Sequence, residues 1–134
     1  MSKQIPPATR KVLHERSGGV CEGCGLRRAT DAHHRQYRSR GGSHAVSNLL
    51  ALCGGAGGLP GGNYTGCHGI SHTAEGEARG WSIRSGYNPA EVPAQIVLDG
   101  LRVYVHLTAD GGHEVIPDAD AIEYLELIHA REGA

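Results

Sequence analysis

The segment DAHHRQYRSRGGSHAVSNLLALC, residues 31–53, joins a histidine pair to a polar, glycine-rich stretch and to an apolar run that ends at a cysteine. Residues 29–37 are compatible with a β-strand, whereas residues 38–47 are polar and glycine-rich, so we expect a loop there. Neighbouring side chains of a strand point to opposite faces. His33 and His34 therefore need different partners.

Cysteines flank this segment in two sequence-local pairs, Cys21 with Cys24 and Cys53 with Cys67. A tetrahedral Zn²⁺ ion takes four thiolates at about 2.3 Å, and each pair would supply one edge of that tetrahedron. The glycines of residues 54–66 allow the chain to loop out and bring the wider pair together. Buried free thiols and two disulfides are the alternatives, and the local pairing favours a structural zinc ion.

The composition makes such a metal site useful for stability. The 134 residues include 21 Gly, one Trp, five Tyr and no Phe, which leaves a thin apolar core for so much glycine, whose ordering costs extra backbone entropy. One compact domain is the default at this length. We therefore predict a single domain over residues 1–134, with a core at about residues 10–80 and a C-terminal part over residues 81–134.

No apolar stretch of the sequence approaches the ~20 residues that cross a bilayer, and residues 1–7 lack the apolar core of a signal peptide. We therefore expect a cytoplasmic protein that makes no membrane contact. In that reducing compartment, paired cysteines are more often metal ligands than disulfides.

The formal net charge of −1 hides an asymmetry between two parts of the chain. Residues 1–40 carry nine basic and three acidic side chains, whereas residues 41–134 carry four basic and eleven acidic ones. Electrostatic fields decay over about 8 Å at physiological salt, so a polyanion responds to the basic surface and not to the total. An arbitrary distribution of surface charge is the alternative interpretation.

Periodicity and turn residues predict the remaining elements. They are a short opening helix over residues 7–16, a helix over residues 67–79, strand-like stretches over residues 81–84 and 113–116, a β-hairpin with strands over residues 95–98 and 101–107, and an acidic amphipathic helix over residues 117–129. The Asp99-Gly100 pair marks the hairpin turn.

Histidines on the second predicted helix suggest a second cation site. His68 and His72 are spaced i, i+4, so their imidazoles lie on one helix face and can share a cation. His33 would add a third ligand and leave coordination positions for water and a phosphate oxygen. His34 is then free to act as a base, since the pKa of an imidazole can lie near 7.

The ordered motifs of residues 31–42, 47–53 and 67–72 resemble the HNH endonuclease family, the ββα-metal nucleases, and especially small phage-encoded members with a four-cysteine zinc site. The resemblance covers roughly residues 10–90. It implies an α+β fold, in which a zinc-stapled ββα-metal core follows an N-terminal helix and precedes a C-terminal β-hairpin and helix.

The resemblance also implies a role for each motif residue. His33 and His68 match the ligands of the catalytic metal, and His72 matches a further ligand found in some members. His34 matches the general base, and Asn48 matches the asparagine whose side-chain carbonyl orients that base. A turn-capping asparagine and a helix-surface His72 are the alternatives.

The family's activity would be metal-dependent hydrolysis of phosphodiester bonds in double-stranded DNA, with 5′-phosphate and 3′-hydroxyl products. The family often has Asp where this chain has His33, so we expect the site to accept Zn²⁺, Ni²⁺ or Mn²⁺ as well as Mg²⁺. Phage genome packaging with a terminase, or homing, is the biological setting that the resemblance implies. The competing hypothesis is a non-catalytic zinc module that binds DNA or a protein partner.

Charged residues around the motifs are candidates for partner contacts. Arg35, Arg38 and Arg40 follow the proposed base directly, and arginine matches the geometry of phosphate oxygens. A solvated basic loop is the alternative. The acidic C-terminal helix is a poor DNA surface, so we expect it to pack on the domain or to meet a protein partner; its acidic residues are Asp118, Asp120, Glu123 and Glu126.

Overall fold

The computed structural model describes residues 4–54 and 65–133. Helices occupy α1 Pro7–Ser17, α2 Gly66–Ser71, α3 Ala74–Ala78 and α4 Asp118–Gly133, and strands occupy β1 Asp31–His34, β2 Leu49–Leu52, β3 Ala94–Leu98, β4 Leu101–Leu107 and β5 His113–Ile116. The strands form two small antiparallel sheets, β1-β2 and β3-β4-β5. The predicted mixture of helices and antiparallel strands is confirmed. Most of the predicted glycine-rich excursion lies outside the described residues.

The first sheet holds the histidine pair. β1 pairs with β2 in the register His33↔Leu50 and His34↔Leu49. β1 is shorter than the predicted strand because the chain turns away after His34, where the Arg35 N–H donates to the Asn48 carbonyl at 2.7 Å. The predicted loop contains two 3₁₀ turns, Arg38–Arg40 and Val46–Asn48.

The predicted helix over residues 67–79 is wrong in one respect, because it is two helices. Thr73 is extended between α2 and α3, and its side-chain oxygen accepts from the N–H of Gly76. This N-cap begins α3 in a new direction. A Cβ on Gly76 would lie 2.5 Å from the Ile70 carbonyl oxygen, so the glycine permits the two short helices to pack closely.

The C-terminal part contains the predicted hairpin. Asp99 and Gly100 both have positive φ angles, 52° and 79°, as the type I′ turn between β3 and β4 requires. The predicted strand over residues 81–84 does not form and contributes only an isolated bridge from Ile83 to Gln36.

The core surrounds Trp81, which is fully buried beside Leu50, Leu52 and the cysteines. α4 packs its apolar side chains against Ile83, Val92 and Tyr104. The expectation that the acidic helix packs on the domain is thus met, with the carboxylates of Asp118, Asp120, Glu123 and Glu126 exposed. Within the described ranges, no helix has both the length and the apolar character needed to cross a bilayer.

Candidate functional site

The four cysteines converge on one point. Cys21 and Cys24 lie in the turn after α1, Cys53 follows β2, and Cys67 begins α2. Their ligand atoms lie within 4.8 Å of one another, and the Sγ atoms of Cys24 and Cys53 are 3.9 Å apart. Thiolates on one tetrahedral Zn²⁺ ion are separated by about 3.8 Å. The cysteines therefore lie close enough to bind a single metal ion, and all four are free thiols.

The surroundings of the sulfur atoms suit thiolate ligands. Burial disfavours the thiolate of Cys24, but the backbone N–H groups of Leu26 and Arg27 donate to its sulfur and lower its pKa to about 7. Burial raises the pKa of Cys67, and the neighbouring Cys21 raises it further. Four thiolates together repel one another, so full deprotonation requires a cation between them.

The long interval between Cys53 and Cys67 does not disturb this cluster, because its two ends meet. A Cβ on Gly54 would lie 1.9 Å from the Thr65 carbonyl oxygen. The N–H of His68 donates to the Cys53 carbonyl at 3.0 Å. The chain therefore leaves the cluster and returns to it at the same place, so the wide spacing is compatible with a four-sulfur site.

A second group of ligands lies beside the first sheet. His33, His68 and His72 place their ligand nitrogens within 4.8 Å of one another. His33 comes from β1, His68 from α2, and His72 from the residue that ends α2. His33 and His68 are buried and His72 is exposed, so the group opens to solvent on one side. The structure thus brings together the three histidines predicted to bind the second cation.

Hydrogen bonds orient these imidazoles. His33 donates Nε2–H to the Trp81 carbonyl at 2.7 Å, and His68 donates Nδ1–H to the Asp31 carboxylate at 2.6 Å. In a neutral imidazole, each bond leaves the other ring nitrogen unprotonated, as metal binding requires. The third imidazole, His72, is hydrogen-bonded through Nδ1 to the Tyr37 hydroxyl at 2.9 Å.

Burial favours the neutral form of two of the ligand imidazoles, His33 and His72. It lowers the pKa of His33 to about 3, despite the opposing hydrogen bond to Trp81. Burial also lowers the pKa of His72, and His68 and Arg40 lower it further. Neutral imidazoles bind metal ions, whereas imidazolium ions do not.

His34 lies on the other face of β1 and points to a different partner. Its Nε2 is 3.0 Å from Nδ1 of His44. Burial lowers the pKa of His34, and its neighbours His44, Arg38 and Arg10 act in the same direction. His34 nevertheless lines the same cavity of about 200 Å³ as His33, His68 and His72, together with Ala32, Tyr37 and Arg38.

The predicted role of Asn48 is wrong. Its Oδ1 accepts from the Gln36 N–H at 2.7 Å, and its Nδ2 donates to the carbonyls of Gln36 and Ser43. These bonds use the amide of a fully buried side chain, so it does not orient His34. Asn48 instead fixes the loop between β1 and β2, which is closer to the turn-capping alternative.

Arg35 is not available for a phosphate contact, which corrects a second prediction. Its side chain is fully buried, and the guanidinium donates to five main-chain carbonyls, those of Ser47, Gly80, Pro89, Val92 and Pro93. Burial lowers the pKa of Arg35 to about 9, so it remains charged at neutral pH. Arg35 therefore joins the first sheet to residues 80–93.

The other two predicted phosphate contacts differ in exposure. Arg38 is exposed at the rim of the histidine cavity. Arg40 is half-buried, stacks its guanidinium 4.4 Å from the centre of the Tyr37 ring and donates to the Ile83 carbonyl. Arg38 is free to meet an anion, while Arg40 is already engaged in holding Tyr37 against His72.

Sequence reasoning assigned no role to Asp31, Tyr37 or His44, and all three contact the histidines. Asp31 shares a strand face with His33, so strand periodicity was a usable signal for it. Tyr37 and His44 reach the site through the folded loop after β1, and no local spacing indicates that contact.

Comparisons with protein-family models, with curated proteins and with solved structures found no match to the chain.

Proposed function

We propose that the protein is a metal-dependent endonuclease of the HNH type that hydrolyses phosphodiester bonds in double-stranded DNA. One observation carries the proposal. A single cavity holds three histidines that can share a cation, together with His34, which lies outside that ligand set, and the exposed Arg38. Ligands, a base and a phosphate-binding charge are the parts that phosphodiester hydrolysis needs.

The ligand group fits a divalent cation because it offers three imidazole nitrogens, and the second ring nitrogens are held by Trp81, Asp31 and Tyr37. Bound there, a cation such as Mg²⁺, Mn²⁺, Ni²⁺ or Zn²⁺ would polarise the scissile phosphate and stabilise the leaving 3′ oxygen.

His34 performs the proton transfer in this proposal. When His34 donates Nε2–H to His44, its Nδ1 is unprotonated and can accept a proton from the attacking water. Arg38 holds the phosphate at the rim of the cavity. Attack in line with the 3′ oxygen leaves a 5′-phosphate and a 3′-hydroxyl.

The cysteine cluster supports the same proposal as a structural site. Four clustered sulfur donors are the ligand set typical of structural Zn²⁺. The ion would join the turn after α1 to β2 and α2, and so fix the helix that carries His68.

A protein partner is part of the proposal. The exposed carboxylates of α4 face away from the packed side of that helix, and we assign them to a partner such as a phage terminase in the cytoplasm of a host cell. Deleting residues 117–134 should then impair folding or partner binding, whereas an unchanged solubility, assembly and activity would contradict this assignment.

A plasmid assay tests the activity. Purified protein with Mg²⁺, Mn²⁺ or Ni²⁺ should convert supercoiled plasmid to nicked or linear DNA, and His34→Ala should reduce the rate at least about a hundredfold. His106→Ala, on β4, is the matched control and should cleave normally. Undiminished cleavage by His34→Ala would refute the assigned base. No cleavage with any divalent cation would favour the non-catalytic zinc module.

A further inference from the structure

A second groove adjoins the histidine cavity. It has a volume of about 190 Å³ and lies between α1 and the segment that leads into β1. Ala32 lines both the groove and the cavity, so the two lie next to each other. The sequence motifs that mark the histidine site include neither Arg10 nor Arg28, which line this groove.

Basic side chains from two separate parts of the chain meet in the groove. Arg10 and His14 are spaced i, i+4 on one face of α1, and Arg28 comes from the turn after the first cysteine pair. Both arginines are exposed. Asp31 is the one carboxylate among the described residues of the lining, and it accepts a hydrogen bond from His68.

Exposed arginines lie in both the groove and the cavity of the proposed base. Arg10 and Arg28 line the groove, and Arg38 lines the cavity that holds His34. A chain of phosphates that runs from the groove to the cavity would meet all three arginines.

We propose that the groove between α1 and β1 binds the sugar-phosphate backbone of the DNA strand beside the scissile phosphate, with Arg10 and Arg28 as its phosphate contacts. The proposal rests on the proposed function and names where its substrate lies. Arginine suits this position because its planar guanidinium binds two phosphate oxygens at once.

The chain provides a matched control. Lys11 and Arg27 are exposed, adjacent in sequence to Arg10 and Arg28, and absent from the lining of the groove. Removing either pair changes the net charge by the same amount. A difference in DNA affinity between the two double variants therefore reports the position of the removed charges and not their number.

The experiment measures binding without cleavage. In a His34→Ala background, the fluorescence anisotropy of a labelled duplex of about 20 base pairs gives the affinity at several salt concentrations. Arg10→Ala with Arg28→Ala should weaken binding at least about tenfold at low salt and reduce the slope of log affinity against log salt by about 2. Lys11→Ala with Arg27→Ala should leave that slope almost unchanged.

The outcomes separate the groove from the proposed activity. Equal losses of DNA affinity in both double variants, or no loss in either, would refute DNA binding in the groove, whatever the plasmid assay gives. The predicted difference, found in a protein that does not cleave DNA, would leave the groove established and the nuclease proposal rejected. Thermal unfolding of all variants, with matching midpoints, confirms that the fold is retained.

Discussion

The imidazole of His33 donates a hydrogen bond of 2.7 Å to the carbonyl oxygen of Trp81, the fully buried tryptophan of the core. The ring of the same tryptophan packs against the turn of the first cysteine pair, where a Cβ on Gly23 would lie 2.8 Å from it. One residue therefore contacts both candidate metal centres. Damage to the cysteine cluster should reach the histidines through Trp81.

Loss of one thiolate should affect both centres. Cys24→Ser should lower the zinc content to well below one ion per chain and the free energy of unfolding by at least about 3 kcal/mol, because metal binding and folding are coupled. Metal analysis and urea unfolding measure these effects. Zinc added after mild chelation should restore the wild type and not the variant. A variant with normal stability would contradict a structural role for the cluster.

Replacement of Arg35 should destabilise the fold and not act primarily on DNA binding. Arg35→Met removes the guanidinium donor from five main-chain carbonyls, of which Pro89 keeps a second donor, the Val92 N–H. Each buried carbonyl left unsatisfied costs about 1 to 3 kcal/mol. We expect a loss of at least about 3 kcal/mol in urea unfolding. Arg38→Met, at an exposed position, should stay within about 0.5 kcal/mol of the wild type. Equal stabilities for the two variants would reject this role.

Stability should fall with acidification through His33. The pKa of its buried imidazole is lowered from 6.5 to about 3, so the unfolded chain takes up this proton first as the pH falls. The contribution of His33 to the free energy of unfolding is complete above about pH 6.5. It is lost toward pH 3, at no more than about 1.4 kcal/mol per pH unit. His33→Gln should flatten this dependence in urea unfolding between about pH 4 and 7.5. His113→Gln serves as the control, and parallel curves for wild type and His33→Gln would contradict the prediction.

His44 should position the proposed base. It touches His34 and is not part of the ligand group, so His44→Ala should lower kcat about tenfold or more with little change in KM. His44→Gln keeps a hydrogen-bonding side chain and should recover part of the rate. Steady-state kinetics on a short duplex measures both. A change confined to KM would instead indicate a role in substrate binding.

Local patterns were sufficient for much of the fold. Gly18 ends α1, Asp99-Gly100 forms the hairpin turn, and the cysteine pairs meet, because each depends on neighbouring residues or on one ligand geometry. Contacts across the chain were not predictable in the same way. Arg35 bonds with residues up to 58 positions away, so only the folded path shows that a residue inside a basic motif is buried.

In the candidate site too, local patterns were predictable and contacts across the chain were not. The three ligand histidines follow from strand alternation and helical spacing, although His72 occupies the break between α2 and α3 and not the middle of a helix. The role of Asn48 was misassigned because a side-chain amide can hydrogen-bond either to another side chain or to the backbone of a loop. Spacing in the sequence does not distinguish these two cases.

Because Gly54 and Thr65 lie in contact, this junction is a suitable site for inserting another domain. Lengthening a loop whose ends already touch costs little closure entropy, about 0.6 kcal/mol for each doubling of its length. A reporter domain whose own termini lie close together could be spliced between these two residues without shifting the sulfur atoms beside them. Such a chimera would carry its label next to the cysteine cluster.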